Sequence, residues 1–223
     1  MRGGRGPAVT AWVLVPLGLI LLVGSVLYVR SGYTRATVVS GSMAPAYTPG
    51  DRLVVERTDG DAVHRGDVVQ FTMPEGVAEG DAFQRVIGVA GDRVACCEGS
   101  GKDERVTVNG KPLDEPYVFD GIADGLDHPY DVTVPRGRLF LLGDHRRNSL
   151  DSRFYGTGGK PGTVSAAAVH GRVVDGLGGA AVGLAAGLLG LVLTLTGAGC
   201  GIAALVLRRK RAAAQVPPPP VRV

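Results

Sequence analysis

The sequence predicts a mainly β protein, in which one antiparallel β domain is flanked by two transmembrane helices. Two long apolar runs without a charged residue lie near the ends of the 223-residue chain. Between them, short stretches rich in β-branched residues are separated by glycine-containing turns. Short strands at this spacing are typical of an all-β barrel or sandwich.

The first apolar run, residues 8–29, has the length and composition of a membrane-spanning helix. It contains no charged residue, and about 20 apolar residues are enough to cross the hydrocarbon core of a bilayer. The run ends at Tyr28-Val29-Arg30, which lacks the small-residue cleavage site of a secretory signal peptide. We therefore expect a retained anchor, transmembrane helix 1, after a short cytoplasmic N-terminus of residues 1–7.

The second apolar run, residues 176–207, predicts transmembrane helix 2. It is also uncharged, and it is followed by a basic, proline-rich cytoplasmic tail, residues 208–223. The run contains the pairs Gly183-x-x-x-Gly187 and Gly197-x-x-x-Gly201. Small residues at this spacing allow two helices to approach closely in lipid, although a segment so rich in glycine also produces the spacing by chance.

Basic residues at both outer ends predict that both termini face the cytoplasm, because positive flanks mark cytoplasmic loops. Residues 30–175 then form the extracytoplasmic domain of a multi-pass protein of the cell membrane. Much of the formal net charge of +3 comes from these flanks, so the charge does not indicate a nucleic-acid-binding surface. The two apolar runs exclude a soluble cytoplasmic protein.

Six stretches of the extracytoplasmic domain are predicted to be strands, because apolar and β-branched residues alternate or cluster in them. They are residues 51–56, 67–71, 83–89, 105–108, 130–134 and 139–142. Asn109-Gly110, directly after a Val-Thr-Val run, predicts a tight hairpin. Further expectations are exposed acidic loops at residues 74–81 and 120–127, a helical pattern at residues 165–170, and a smaller β lobe at residues 93–138.

The chain has three cysteines, two of which are adjacent in the extracytoplasmic domain. Because a disulfide between adjacent residues is strained, we expect Cys96 and Cys97 to be two buried thiols. Pairing with another chain is the alternative in an oxidising compartment. Cys200 lies inside the second apolar run. No further Cys or His stands at metal-ligand spacing, so no metal site is predicted.

Four short motifs follow one another along the domain. They read SGSMAPAYTPGD at residues 40–51, RGDVVQF at 65–71, QRVIGVAGD at 84–92 and GDHRRNSLDSR at 143–153. Each motif alone is compatible with turn chemistry on a β scaffold. In this order, behind a membrane anchor, the set closely resembles the type I signal peptidase family, and the resemblance covers nearly all of residues 38–174.

The resemblance implies a membrane-anchored serine endopeptidase with a signal-peptidase-type antiparallel β fold and a Ser/Lys dyad. Such enzymes remove signal peptides from exported precursors after small residues at the −1 and −3 positions. By correspondence, Ser42 matches the nucleophile, Ser40 the hydroxyl that helps to hold the oxyanion, and Ser149 the serine that orients the base. Four charged residues match the cluster that supports the site: Asp144, Arg146, Asp151 and Arg153.

The third motif departs from the family pattern at its first residue, which is lysine in the family and Gln84 here. A serine hydroxyl is a weak nucleophile until a base accepts its proton, and a lysine is such a base only when desolvation lowers its pKa. An amide does not accept a proton near neutral pH, and the neighbouring Arg85 stays protonated. In another serine protease the loss of one catalytic residue costs about 10⁶-fold in turnover, so we expect weak or absent activity.

Two other groups of side chains are alternative bases. Imidazole is a competent base near neutral pH, and the extracytoplasmic histidines outside the helical pattern are His64, His128 and His145. Lysines in polar, glycine-rich surroundings are expected to be exposed, with a pKa of about 10.4 that makes them poor bases. These lysines are Lys102, Lys111 and Lys160.

Substrate is expected to bind as an added strand beside residues 38–40 and 82–84, with Val38, Met43 and Phe83 as walls of shallow pockets. Two hypotheses follow for the function. The chain is a signal peptidase with slow or unusual base chemistry, or it is a non-catalytic relative that binds export substrates or partner membrane proteins in the same cleft. The expected partners are signal peptides and the lipid bilayer; no cofactor and no nucleic acid are predicted.

Overall fold

The computed structural model of the chain describes residues 6–99, 101–125, 129–156, 162–176 and 178–214. The chain forms two compact units, one made by the segments before Gly32 and after Gly176, the other by residues 32–176. The first unit is a pair of apolar helices, and the second is built from antiparallel β-sheets. The predicted fold class is therefore confirmed.

Helices α1, Gly6–Gly32, and α2, Gly178–Ala214, contain the two apolar runs. Each is long and apolar enough to cross a membrane, over Ala8–Gly32 and Gly178–Ala212 respectively. Helix α2 continues past the predicted end of the apolar run at residue 207, because Arg, Lys and Ala, which occupy its last turns, all favour helix. The rest of the predicted tail, including the prolines at residues 217–220, lies outside the described residues.

Five glycines of α2 lie against α1: Gly183, Gly187, Gly190, Gly197 and Gly201. A methyl group added at Gly190 would lie 2.7 Å from the carbonyl oxygen of Gly18, and one added at Gly197 would lie 2.9 Å from a methyl group of Val15. Gly183 and Gly187 meet α1 in the same way, at Val29 and Ser25 respectively. The glycine spacing in the second apolar run therefore forms a helix-packing face, where the absence of side chains lets the backbones approach.

The described part of the second unit contains eleven strands. They are β1 Tyr33–Thr37, β2 Arg52–Glu56, β3 Val68–Thr72, β4 Asp81–Gly88, β5 Arg93–Glu98, β6 Arg105–Val108, β7 Lys111–Pro112, β8 Tyr130–Thr133, β9 Arg138–Leu142, β10 Val164–Ser165 and β11 Val169–Val173. Seven of them form one sheet in the order β1-β2-β11-β3-β4-β9-β10, and the other four form a second sheet in the order β7-β6-β5-β8. Every neighbouring pair is antiparallel.

Strand β9 is buried on both of its faces, which explains its uninterrupted apolar sequence. Successive side chains of a strand point to opposite sides. Phe140 and Leu142 pack into a core shared with the second sheet, whereas Leu139 and Leu141 pack into a core beneath β3 and β4. The motif GDHRRNSLDSR begins directly after this strand, so a rigid element positions its first residues.

Each of the six predicted strands overlaps an observed strand, with ends that differ by up to two residues, whereas β1, β5, β7, β10 and β11 were not predicted. The helical pattern predicted at residues 165–170 is wrong. Ala166–Ala168 forms a single 3-10 turn, and β11 begins at Val169, because β-sheet pairing with β3 outweighs the weak helix preference of three alanines. The hairpin at Asn109-Gly110 joins β6 to β7, and both residues have positive φ, +55° and +73°, as a tight two-residue turn requires.

Two expectations about the second unit are corrected. Asp124, in a segment predicted to be an exposed loop, is only 2% exposed, because its carboxylate pairs with the buried guanidinium of Arg153. Cys96 and Cys97 were expected to be thiols, but the structure joins their sulfur atoms in a disulfide. Strand β5 is irregular at this point, since its register against β6 shifts between Ala95 and Glu98, so the two side chains do not alternate as they would in a regular strand. A metal-ligand arrangement of both cysteines with the Glu104 carboxylate, within 4.8 Å, would require these sulfurs to be reduced to thiolates.

The close contact between α1 and α2 makes a testable prediction. A methyl group added at Gly18 would lie only 2.6 Å from the carbonyl oxygen of Gly190, so the side chain of Gly18→Leu does not fit between the helices. A methyl group added at Gly24 would have no atom within 4 Å. We expect Gly18→Leu to weaken helix packing by about 1–3 kcal/mol and Gly24→Leu to have little effect. The measurement is disulfide crosslinking of cysteines introduced at Ala11 and Gly201, which contact each other across the pair, in a chain with Cys200→Ser. Equal crosslinking in both leucine variants would contradict the packing described.

Candidate active site

Ser42 lies in a turn segment between β1 and β2 and is followed by a buried methionine, Met43. The side chain of Met43 is 1% exposed, and its carbonyl oxygen accepts a hydrogen bond from the Tyr47 N–H at 2.9 Å. The carbonyl oxygen of Ser42 accepts a hydrogen bond from the backbone N–H of His145 at 2.9 Å. This bond fixes the first motif to the fourth. The hydroxyl of Ser42 lies 3.0 Å from that of Ser40, and either oxygen can be the donor.

Gly143 allows three parts of the site to meet. A methyl group added to Gly143 would lie 2.6 Å from the Ser42 carbonyl oxygen and 2.5 Å from the Cβ atom of Ser149. Both distances are too short for non-bonded atoms, so only glycine fits between them. Ser42 and Ser149, which are far apart in the sequence, thereby both lie beside Gly143. The Ser149 hydroxyl is buried and has no hydrogen-bond partner among the described residues.

Four charged residues of the fourth motif, Asp144, Arg146, Asp151 and Arg153, are buried and paired. The Nε atom of Arg153 lies 2.8 Å from Asp151, and its Nη1 atom lies 3.0 Å from Asp124. The Nη2 atom of Arg146 lies 2.5 Å from Glu115, and that of Arg85 lies 2.5 Å from Asp144. Each of these side chains is at most 13% exposed.

These ion pairs fix the loop that carries Ser149. The carboxylate of Asp151 also accepts a hydrogen bond from the Gly143 N–H at 3.1 Å, and Arg153 donates to the carbonyl oxygen of Arg146 at 2.6 Å. Burial raises the pKa of the Asp144 carboxyl, and the hydrogen bonds and charge of Arg85 only partly offset this effect. Burial disfavours charge on Arg153 as well, but its two acidic partners outweigh that effect and raise its pKa. The guanidinium therefore stays charged and holds the loop together.

Gln84 is buried in β4 and is 2% exposed. Its amide nitrogen donates to the carbonyl oxygen of Leu150 at 2.7 Å and to the hydroxyl of Tyr155 at 2.9 Å. The Tyr155 hydroxyl lies 3.1 Å from the amide oxygen of Gln84 and 2.8 Å from the Leu150 carbonyl oxygen. Burial raises the pKa of Tyr155 above its ordinary value, so its hydroxyl remains protonated. Tyr155 was not identified from the sequence, since it lies two residues beyond the fourth motif.

Among the described residues, no side chain of an alternative base is hydrogen-bonded to the hydroxyl of Ser42. The ring of His145 stacks on Phe119, with 4.2 Å between ring centroids, and the side chain of His64 is 81% exposed. Lys111 is exposed at the β6–β7 hairpin. The other three candidates, His128, Lys160 and the side chain of Lys102, lie outside the described residues. Within the described part of the chain, Ser40 is the hydrogen-bond partner of the Ser42 hydroxyl.

Two backbone edges beside the site are open. The backbone of Val38 is paired with Gly50 and Asp51, each at 2.9 Å. The next two residues, 39–40, make none of the described backbone hydrogen bonds. Strand β4 pairs with β9 only from Arg85 onward, so residues 82–84 are unpaired on that side. The site is therefore flanked by backbone groups that an extended peptide can pair with.

The apolar side chains near the site differ in accessibility. Of the predicted pocket walls, Val38 and Met43 are buried, at 3% and 1% exposure, and Phe83 is half-buried. Phe83 points to the sheet face opposite Gln84, because successive strand residues alternate. Val39 is 85% exposed and Leu150 is 46% exposed. They are the large apolar side chains that the described part of the β unit exposes most, and the sequence reasoning missed both.

The buried ion pairs predict the cost of breaking one. Arg153→Met would leave Asp151 and Asp124 buried without their cation, which destabilises a protein by about 3–5 kcal/mol. Arg93→Met is the matched control, because its pair with Asp131 is exposed and exposed pairs contribute little. We expect chemical denaturation to show a large loss of stability for the first variant and almost none for the second. Similar losses in both variants would contradict the role assigned to the buried network.

Comparison with known proteins agrees with the resemblance carried by the four motifs. Signal peptidase I of Bacillus caldolyticus is 37% identical over 144 residues, which cover 58% of this chain and 72% of that protein. Signal peptidase I U of Bacillus subtilis is 30% identical over 154 residues, which cover 63% and 76% respectively. A crystal structure of a signal peptidase I from Enterococcus faecalis superposes with a TM-score of 0.39 at 27% identity, covering 51% of this chain and 97% of that one.

The sequence model of the family described as signal peptidase, peptidase S26 matches residues 9–175. The match includes most of helix α1 and nearly the whole β unit, with all four motifs. It covers well over half of the chain. The chain therefore belongs to the signal peptidase family, peptidase S26, whose members are membrane-anchored serine endopeptidases.

Proposed function

We propose that this chain binds the signal peptides of exported precursor proteins beside Ser42 and cleaves them slowly, after small residues at the −1 and −3 positions. The observation that carries the proposal is the position of Ser42. Its hydroxyl is accessible and bonded to Ser40, and its carbonyl group is fixed to the fourth motif. The nucleophile of a signal peptidase requires these features, whereas Gln84 does not supply the base.

In the proposed reaction, the Ser42 oxygen attacks the carbonyl carbon of the scissile peptide bond and forms a tetrahedral oxyanion. The backbone N–H of Ser42 and the hydroxyl of Ser40 donate hydrogen bonds to this oxyanion, each typically lowering the barrier by about 3 kcal/mol. The proton of the Ser42 hydroxyl must pass to a base and then to the leaving amine. Water completes the reaction by hydrolysing the acyl-enzyme ester.

The missing proton acceptor explains why the reaction is expected to be slow. The nitrogen of the Gln84 amide has no lone pair available for a proton at neutral pH, and its N–H groups already donate to Leu150 and Tyr155. Among the described residues only Ser40 bonds to the Ser42 hydroxyl, so water or hydroxide is the proposed base. Oxyanion stabilisation and binding alone retain a rate advantage of about 10³ to 10⁴ over the uncatalysed reaction, so slow cleavage is the expected outcome.

The substrate is proposed to add as a strand between residues 38–40 and residues 82–84. The free backbone groups at these two edges support this placement. The exposed side chains of Val39 and Leu150 lie next to Ser40 and Ser149 in the sequence and offer apolar contact to the peptide. Small side chains at −1 and −3 are proposed because the chain resembles the signal peptidase family, whose substrates carry them.

Helices α1 and α2 are proposed to cross the membrane with both termini in the cytoplasm, so that residues 32–176 face outward. The uncharged apolar stretches of both helices support spanning. The basic residues at the far end of α2, Arg208, Arg209, Lys210 and Arg211, support the orientation. Signal peptides emerge on the outer face of the membrane, where this arrangement places Ser42.

A second candidate function is binding without cleavage. The hydrogen bonds of Gln84 favour it, since a buried amide with satisfied donors is a stable structural element rather than an incomplete catalytic group. In that case the same cleft would retain export substrates or partner membrane proteins. The two candidates differ in whether the wild-type chain releases a product that depends on Ser42.

Restoring the base is the test of the proposed function. We expect Gln84→Lys to raise the cleavage of a precursor with Ala at −1 and −3 by about 10²-fold, because a positioned general base contributes about 10² to 10⁴. Purified protein in detergent is assayed by gel shift of the precursor at pH 7 to 9. Gln70→Lys is the matched control, since Gln70 lies on the neighbouring strand with its side chain on the opposite sheet face from Gln84.

The outcomes distinguish the two candidates. Slow cleavage by the wild-type chain that disappears in Ser42→Ala supports the proposed peptidase. No cleavage by the wild type, combined with cleavage by Gln84→Lys, supports the binding function on an intact scaffold. If neither the wild type nor Gln84→Lys produces a Ser42-dependent product, the proposed peptidase function is wrong for this chain.

A further inference from the structure

The position that holds the general base in this family is occupied here by a closed hydrogen-bond network. Gln84, Leu150 and Tyr155 contribute an amide, a carbonyl oxygen and a hydroxyl, and every pair of these groups is linked at 2.7–3.1 Å. The phenol ring anchors the network from the far side, because Tyr155 packs against the core beneath β3 and β4. The network fixes the direction in which any N–H group at position 84 points.

The serine that the motifs assign as the orienting group takes no part in this network. The hydroxyl of Ser149 is buried and has no partner among the described residues. An unpaired buried hydroxyl costs free energy, so this atom identifies a position where a hydrogen-bonding group is absent. In this chain the hydrogen-bond partner of the side chain at position 84 is therefore Tyr155 and not Ser149.

We propose that Tyr155 is a positioning residue that holds position 84 in a non-catalytic state. Together with the Leu150 carbonyl oxygen, its hydroxyl forms a pair of acceptors that directs an N–H group at this position away from Ser149 and Ser42. This inference rests on the proposed function in one respect only, namely that position 84 is the site of the base.

The same two acceptors determine what happens when a lysine is introduced. An ammonium group at position 84 would donate to the Leu150 carbonyl oxygen and to the Tyr155 hydroxyl. Hydrogen bonds to the charged form of a group stabilise that form, so the pKa of the introduced lysine stays high and little neutral amine is available. A neutral amine is required, since only its lone pair accepts the proton that leaves the Ser42 oxygen.

Removal of the Tyr155 hydroxyl should release the lysine. In Gln84→Lys/Tyr155→Phe one acceptor is lost while the half-buried, apolar ring remains, so desolvation at the buried position 84 lowers the pKa of the lysine. The Ser149 hydroxyl, which the family resemblance assigns to the base and which has no partner among the described residues, is then the proposed partner of the lysine. We expect the double variant to cleave the precursor about tenfold faster at pH 7 than Gln84→Lys alone, which is the effect of one hydrogen bond to a charged group.

Two measurements test the proposal. The pH profile of kcat/KM reports the pKa of the base, and its acidic limb should lie at lower pH in the double variant than in Gln84→Lys. The second measurement does not require activity. The introduced lysine is titrated by NMR, against four native lysines, Lys102, Lys111, Lys160 and Lys210, and its pKa should be lower in the double variant.

Control variants separate positioning from general effects on the fold. Tyr130→Phe removes another buried tyrosine hydroxyl, one without a hydrogen-bond partner among the described residues, and should leave the pH profile of Gln84→Lys unchanged. Tyr155→Phe in the wild-type background should not speed cleavage, since Gln84 has no proton-accepting nitrogen to release. If the phenylalanine variant does not fold, Tyr155→Leu removes the same hydroxyl.

The outcomes for this inference and for the proposed function are distinct. If Tyr155→Phe leaves both the pH profile and the lysine pKa of Gln84→Lys unchanged, Tyr155 does not control position 84, even when both variants cleave. If no variant cleaves, the proposed function fails, and the NMR titration alone decides the role of Tyr155. A lowered pKa together with faster cleavage in the double variant supports both.

Discussion

The site depends on one close backbone approach, that of Gly143 to Ser42 and Ser149. A residue with a side chain at Gly143 would collide with the carbonyl oxygen of Ser42 and with the Ser149 side chain. The neighbouring N–H of His145 then bonds to the same carbonyl oxygen at 2.9 Å. These contacts join the turn between β1 and β2 to the loop after β9. The two segments are about a hundred residues apart in sequence.

The close approach of Gly143 to Ser42 and Ser149 is maintained by buried ion pairs. Arg153 joins Asp151 to Asp124, and Asp151 in turn accepts a hydrogen bond from the backbone of Gly143. Because a buried charge is costly unless it is paired, the loop has a single arrangement in which every member is satisfied. These charged residues therefore determine the position of Ser42, although the described hydrogen bond of its hydroxyl is to Ser40 and not to any of them.

The same scaffold explains how the chain tolerates glutamine at position 84. A lysine there would need a dry environment and a partner that keeps it neutral, whereas a glutamine needs only donors and acceptors within reach. Leu150 and Tyr155 provide both, so Gln84 is as well satisfied as a core polar residue in any stable protein. The fold and the accessible serine are therefore compatible with glutamine at this position.

The sequence by itself determined the fold class, the family and the members of the four motifs. Long uncharged runs have few structural solutions other than membrane helices, and the strands with strong β-branched patterns were found where they were predicted. Local pattern did not reveal β1, β5 or β11, because their residues are partly polar and are held by neighbours distant in the sequence. The same limit explains the error at residues 165–170.

Only the tertiary structure decided which side chains meet. Asp124 is buried because Arg153 pairs with it, and Tyr155 contacts Gln84 across 71 residues of sequence. Neither of these contacts leaves a periodic or compositional signal, since each joins residues that are distant along the chain. The sequence therefore shows that residue 84 is a glutamine. Only the tertiary structure, in which β4 lies beside the loop after Ser149, shows that its partners are Leu150 and Tyr155.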